Sequence, residues 1–192
     1  LMENVKIIQT ELENTLQPKP NSSFLGMHLG LFYFYKNQKE NPGFINKWFY
    51  KKIGEEPVYQ SDVPNLEVEK ILLNQLENNG FFYSKANSDW KEDTKKKEAS
   101  ISYTVTVSKP YKLATYQVDT MPQPINSAVK KSIDTVYFKK GVHFNLSDMK
   151  AERERIDKKL KNSGYYNFNN EFLIFEADTN QYADKRFDLF LR

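Results

Sequence analysis

Two segments of this chain are versions of one another, and that repetition narrows the possible folds more than any other feature. Residues 69–82, Glu-Lys-Ile-Leu-Leu-Asn-Gln-Leu-Glu-Asn-Asn-Gly-Phe-Phe, match residues 153–166, Arg-Glu-Arg-Ile-Asp-Lys-Lys-Leu-Lys-Asn-Ser-Gly-Tyr-Tyr. Each copy has an aliphatic pair four residues apart, Leu72/Leu76 and Ile156/Leu160, which puts two side chains on one helical face. Each then runs Asn-x-Gly into two aromatics. A helix that must stop and turn sharply favours one residue in the left-handed region, where glycine has no Cβ to clash. Gly80 and Gly164 are therefore the predicted helix C-caps. Upstream, Ser61 or Asp62 and Ser147 or Asp148 suit N-cap positions, and Pro64 is tolerated in a first turn.

After each glycine the pattern changes from a helical period to a period of two. Ala99, Ile101, Tyr103, Val105 and Val107 alternate with Ser100, Ser102, Thr104 and Thr106, the pattern of a strand with one wet face. Its predicted partner lies around Phe82 to Trp90, across a turn at Glu92 to Lys97. In the second copy Tyr166 to Glu176 is expected to pair with Lys185 to Leu191. Each helix and hairpin is preceded by a short strand and a further helix: Val5 to Gln9 and Glu11 to Leu16 in the first copy, Lys112 to Val118 and Ile125 to Ile133 in the second. The expected fold is α+β. Two tandem modules each read strand, helix, helix, strand, strand, with two helices on one face of a three-stranded mixed sheet. The boundary falls near Ser108-Lys109-Pro110, giving modules at 1–109 and 110–192, the first with an insertion at about 17–57.

Composition excludes several function classes. Cysteine is absent, which removes disulfides, thiol catalysis and sulfur-ligated metals. The net charge is +3, but only Arg153, Arg155, Arg186 and Arg192 are arginines, so the bidentate donors that grip guanine edges and phosphates are scarce and nucleic-acid binding is not expected. His28 and His143 sit in no metal-binding spacing, and no nucleophile elbow or phosphate-cradling glycine loop occurs. Glu152, Glu154, Glu176 and Asp178 read as charged helix faces and strand ends rather than as an acid/base pair. No enzyme activity, cofactor, metal or small-molecule substrate is expected. The longest apolar stretch, Phe24 to Tyr35, is far short of the ~20 residues that span a bilayer. The start, Leu1-Met2-Glu3-Asn4, has none of the features of a signal peptide, as expected of a processed or excised piece.

The element order, closed by Asn-x-Gly-aromatic-aromatic, resembles the polypeptide-transport-associated (POTRA) module of outer-membrane β-barrel assembly proteins. Phe138-Lys139-Lys140-Gly141-Val142-His143-Phe144-Asn145, Ala151 to Ile156, Asn162 to Tyr166 and Phe175 to Thr179 are most similar to the periplasmic region of the Bacteroidetes translocation and assembly module lipoprotein (TamL type) of the BamA/TamA superfamily. The resemblance implies a periplasmic arm on an outer-membrane-anchored protein, scaffolding a C-terminal β-barrel that these residues do not include. Its implied partners are assembly-module components and unfolded outer-membrane proteins, held by β-strand addition. The resemblance also implies that the edge lies directly after each capping glycine, at Phe82, Tyr83 and Ser84 and at Tyr166 and Phe168. A periplasmic scaffold of a secretion or division complex, handling no clients, is the alternative.

The long segment between the first module's two helices departs from that pattern. It concentrates Phe32, Phe34, Trp48 and Phe49 with Lys51 and Lys52, residue types that suit either an extension of the first core or a docking surface for a partner or a membrane interface.

Overall fold

The computed structural model describes residues 2–119, 122, 124–133 and 138–192, with side chains from residue 8 onward. Its elements run α1 (Met2–Thr15), α2 (Leu29–Asn37), α3 (Gly43–Ile53), α4 (Asn65–Asn78), β1 (Lys85–Asp93), β2 (Glu98–Thr106), β3 (Lys112–Val118), α5 (Ile125–Ser132), α6 (Leu146–Asn162), β4 (Phe175–Asp178) and β5 (Arg186–Leu191). Single 3-10 turns lie at Gln60–Asp62 and Asn170–Phe172. The chain is α+β, with one two-stranded sheet and one three-stranded mixed sheet.

It divides into two compact units, Leu1–Ile71 with Ser88–Tyr103, and Leu72–Asn87 with Thr104–Arg192. The sequence pattern predicts a single boundary near Ser108-Lys109-Pro110. In the structure, the end of α4 and the turn that follows it group with the C-terminal residues.

In the second unit the three-stranded sheet has the order β3-β5-β4. β3 lies parallel to β5, from Lys112 opposite Arg186 to Val118 opposite Leu191, with a register slip between Leu113 and Thr115. β4 lies antiparallel to β5, from Phe175 opposite Leu191 to Asp178 opposite Asp188. Because successive strand residues face opposite sides, Phe187, Leu189 and Leu191 of β5 share one buried face. Leu113, Phe138 and Met149 pack with Phe187 and Leu189, while Val129 of α5, Ile156 and Leu160 of α6 and Leu173 pack with Leu191. Two helices therefore cover one face of the sheet. Arg155 of α6 ties them together: its guanidinium donates to both oxygens of the buried Glu152 carboxylate at 2.6 and 2.8 Å and to the Ser132 carbonyl at the end of α5.

The two copies of the repeat stop their helices by the same bonds. Phe81 N donates to Leu76 O and Tyr165 N to Leu160 O, each at 2.9–3.1 Å, around a glycine at φ +81° (Gly80) or +99° (Gly164). This is the six-to-one bond of a Schellman ending. The paired aliphatics, Leu72 and Leu76 in one copy and Ile156 and Leu160 in the other, are all buried.

Several sequence expectations are corrected. Val5 to Gln9 is not a strand: the backbone is helical throughout Met2–Thr15, and the Gln9 amide donates to the Glu13 carboxylate across one turn at 2.9 Å. Among the described residues the first copy therefore has the two-stranded β1-β2 sheet alone. α6 is capped by Asn145, whose side-chain oxygen accepts from Ser147 N at 2.8 Å and Asp148 N at 3.2 Å, so neither Ser147 nor Asp148 is itself the cap. Ser61 and Asp62 lie in the 3-10 turn, and the Pro64 carbonyl accepts the first α4 bonds from Glu67 N and Val68 N.

Candidate functional site

Two features are candidate contact surfaces, a sheet edge in the second unit that is unpaired among the described residues and an aromatic, basic helical hairpin in the first.

β4 is an edge of the three-stranded sheet. Ile174 and Arg192 exchange both backbone bonds, at 2.8 and 2.9 Å. In an antiparallel pair such bonded positions alternate with unbonded ones, so Glu176 and Asp178 face β5 through their backbone while Phe175 and Ala177 turn their N–H and C=O to the open side. The end of the sheet is held by Arg192, whose guanidinium meets Asp119 at 2.8 Å and Glu176 at 2.6 Å. Near the start of β5, Thr115 donates to Asp188 at 2.6 Å and the Tyr182 hydroxyl approaches both Asp188 oxygens at 3.0 and 3.2 Å. That hydrogen bond to a carboxylate pushes the Tyr182 phenol above its ordinary pKa. The opposite edge, β3, is partly covered: Leu113 N donates to Val142 O and Gly141 N to Leu113 O.

None of the five residues expected at the edge lies in a strand. Phe82 and Tyr83 occupy a turn in which Tyr83 adopts φ +62°, and the Ser84 hydroxyl donates to the Phe81 carbonyl at 2.7 Å, which delays β1 until Lys85. Ser108 closes the same turn by donating to the Phe82 carbonyl. The Phe82 ring packs edge-on against Tyr111 and Phe144 at 5.4 and 5.0 Å, so it is a core contact. Tyr166 is exposed in the corresponding turn, and Phe168, whose amide donates to Tyr165 O, packs against the core cluster of Ile156 and Leu160. The edge residues that reasoning from sequence missed are Phe175 and Ala177. Their signal was the late 3-10 turn, capped by Asn169 accepting from Glu171 N at 3.0 Å, which resets the chain before β4.

The inserted segment forms the antiparallel pair α2 and α3. Tyr33 stacks on Phe49 at 4.8 Å, and Phe34 meets Tyr50 at 6.2 Å, so Phe34 and Phe49 turn into the helix–helix contact. Phe32, Trp48, Lys51 and Lys52 remain exposed. The open end of the hairpin is tied down: Glu55 N donates to Gly30 O at 3.2 Å, and Ser22 donates its amide and hydroxyl to the Glu55 carboxylate. Those two Ser22 bonds, led by the hydroxyl, hold the Glu55 carboxyl below the usual carboxylate range.

Among the described residues no group of three or more His, Asp or Glu is placed to hold a metal ion, and no helix is long and apolar enough to cross a membrane.

No family model and no curated protein matches the chain. Among solved structures it is similar to Haemophilus influenzae BamA POTRA3-5, at 14% identity and a TM-score of 0.37 over 72% of this chain and 49% of that one. It is also similar to BamA from Haemophilus ducreyi lacking POTRA domains 1-3, at 12% identity and a TM-score of 0.40 over 82% of this chain and 25% of that one. The chain thus spans about half the length of the first and a quarter of the second.

Proposed function

We propose that the chain is a non-catalytic periplasmic arm of POTRA type, part of an outer-membrane protein assembly or translocation machine of the BamA/TamA superfamily, and most like the TamL group. Its work is to hold partner or unfolded client chains by adding a guest strand to a sheet edge. The observation that carries this reading is the outward-facing main chain of Phe175 and Ala177 on β4. A guest strand satisfies those groups through its own backbone, so binding depends little on the guest's sequence, as a handler of many clients requires. The repeated helix exits, the two helices on a mixed sheet and the residues resembling that family support the same assignment. The α2–α3 hairpin supplies a second contact surface outside the sheet.

Amide hydrogen exchange tests it. With a short extended barrel-strand peptide at tens of millimolar as the probe, the Phe175 and Ala177 amides are expected to exchange at least about tenfold more slowly than in the free chain. Ala177→Pro, which removes an outward donor and leaves the bonds to β5 in place, is expected to abolish that protection at position 175. Unchanged exchange at both amides would sink strand addition and favour a scaffold that handles no clients.

A further inference from the structure

The α2–α3 hairpin is unusual in what it exposes. Phe44, Ile45 and Trp48 project from one side of α3 with 82%, 69% and 50% of their surface open, next to the closed end of the hairpin. Large apolar side chains clustered at an exposed helix start are normally turned inward, and here the inward positions are already filled by Phe49 and Tyr50 against Tyr33 and Phe34. The outer face continues into Lys51 and Lys52, with Lys47 at its flank, so apolar and cationic groups share one surface.

Charge is localised on the same element. Residues 29–53 hold five lysines and one glutamate, whereas the rest of the chain holds 23 basic and 24 acidic residues. No acidic side chain lies within α2 or α3. Basic charge alone would suit any acidic macromolecule. Phe44 and Ile45 lying beside lysines, with Glu40 in the connecting turn as the one acidic side chain of the hairpin, suit a surface that is anionic at its rim and apolar just beneath it, which describes a bilayer of acidic phospholipid. Trp48 completes the set, since an indole is favoured where headgroups meet acyl chains. Ser22, Glu55 and Gly30 fix the far end of the hairpin, so the tip is presented on a braced support.

We propose that the α2–α3 hairpin docks on an anionic phospholipid bilayer, seating Phe44, Ile45 and Trp48 at the headgroup boundary and Lys47, Lys51 and Lys52 against lipid phosphates. The inference goes beyond strand addition and holds whether or not the sheet edge takes a guest.

Vesicle flotation of the whole chain tests it, using phosphatidylcholine vesicles and vesicles of phosphatidylcholine mixed with phosphatidylglycerol. The chain is expected to float with the mixed vesicles and not with the neutral ones, and to release as salt rises. Replacing Lys47, Lys51 and Lys52 by glutamine is expected to weaken partition by about a hundredfold, from the attraction of each cation near such a surface. Phe44→Ser with Ile45→Ser, at two exposed positions whose change leaves the core intact, is expected to weaken it by at least about tenfold. In a Trp90→Phe background, Trp48 emission should shift to the blue and be quenched by brominated lipid. Failure to float, equal binding to both vesicle types, or binding unaffected by the Phe44 and Ile45 changes would overturn the proposal, as would self-association that buries Trp48 in the absence of lipid.

Discussion

Gly80 and Gly164 offer a paired experiment, because the two copies share a backbone conformation and differ in the space around it. Both glycines are left-handed, at φ +81° and +99°, so alanine at either meets the same conformational penalty of about 1–2 kcal/mol. At Gly164 nothing among the described residues lies within 4 Å of where a Cβ would stand. At Gly80 a Cβ would come within 2.8 Å of Phe144 Cβ and 3.0 Å of its carbonyl oxygen. Phe144 has little freedom to retreat: its amide donates to Tyr111 O, Tyr111 N donates to Gly80 O, and its ring packs on Phe82 and Phe187 at 5.0 and 5.5 Å. Overpacking of that kind adds about 1–3 kcal/mol. Gly164→Ala should therefore lower Tm by about 4 °C and Gly80→Ala by about 10 °C for a chain of this size. Both glycines belong to the same compact unit, so a thermal melt followed by far-UV circular dichroism reads the same transition for each. Equal shifts, or a smaller one for Gly80→Ala, would refute the argument that Phe144 blocks the first site.

Two further substitutions probe buried polar groups of the second unit. Arg155→Ala removes both guanidinium bonds to the buried Glu152 carboxylate and the one to the Ser132 carbonyl, and is expected to cost about 3–5 kcal/mol in urea unfolding, against a near-neutral effect if the pair were solvated. Tyr116 has a hydroxyl with no hydrogen-bond partner among the described residues, and burial, followed by the Glu152 charge, pushes its phenol well above the ordinary value. Its raised folded pKa contributes stability that is fully present below about pH 10 and is lost as pH rises further. Tyr116→Phe should thus match or exceed the parent at pH 7 and lose less stability than the parent between about pH 9 and 11 in parallel urea titrations.

The parts of the fold legible in the sequence are those whose signal is local. β3 falls on Lys112–Val118, and the helix expected at Ile125 to Ile133 is α5, because periodicity and flanking residues decide short isolated elements. The segment Val5-Lys6-Ile7-Ile8 misled because β-branched residues favour strands only when a neighbouring strand is there to pack on. With no such partner strand among the described residues, the run joins Thr10 to Thr15 as one helix, in which Ile8, Leu12 and Thr15 recur at helical spacing and are half-buried. The edge residues were misplaced for a related reason. A glycine C-cap fixes how a helix ends and leaves open how soon a strand begins. That distance is set by non-local bonds: the Ser84 and Ser108 bonds that tie the turn after Gly80, and Leu173 entering the core after Gly164. The hairpin's composition was visible in the sequence, but which of its aromatics face outward depends on the Tyr33–Phe49 stack.

The delayed start of β4 leaves only a short edge for strand addition. Only Phe175 and Ala177 of this four-residue strand face the open side, so a guest gains at most four main-chain hydrogen bonds. At a net of about 1 kcal/mol each, these amount to about 4 kcal/mol, which corresponds to a millimolar Kd. An edge so short blunts permanent pairing with other chains, the usual hazard of exposed strands, and in the proposed role would favour rapid exchange of a guest. Tighter capture then has to come from side-chain contacts beyond the ladder or from a second module engaging the same chain, where linkage multiplies weak affinities. A client held with nanomolar affinity by residues 175–178 alone would contradict this account, and titration of short extended peptides against the isolated chain, read at the Ala177 amide, decides between the two.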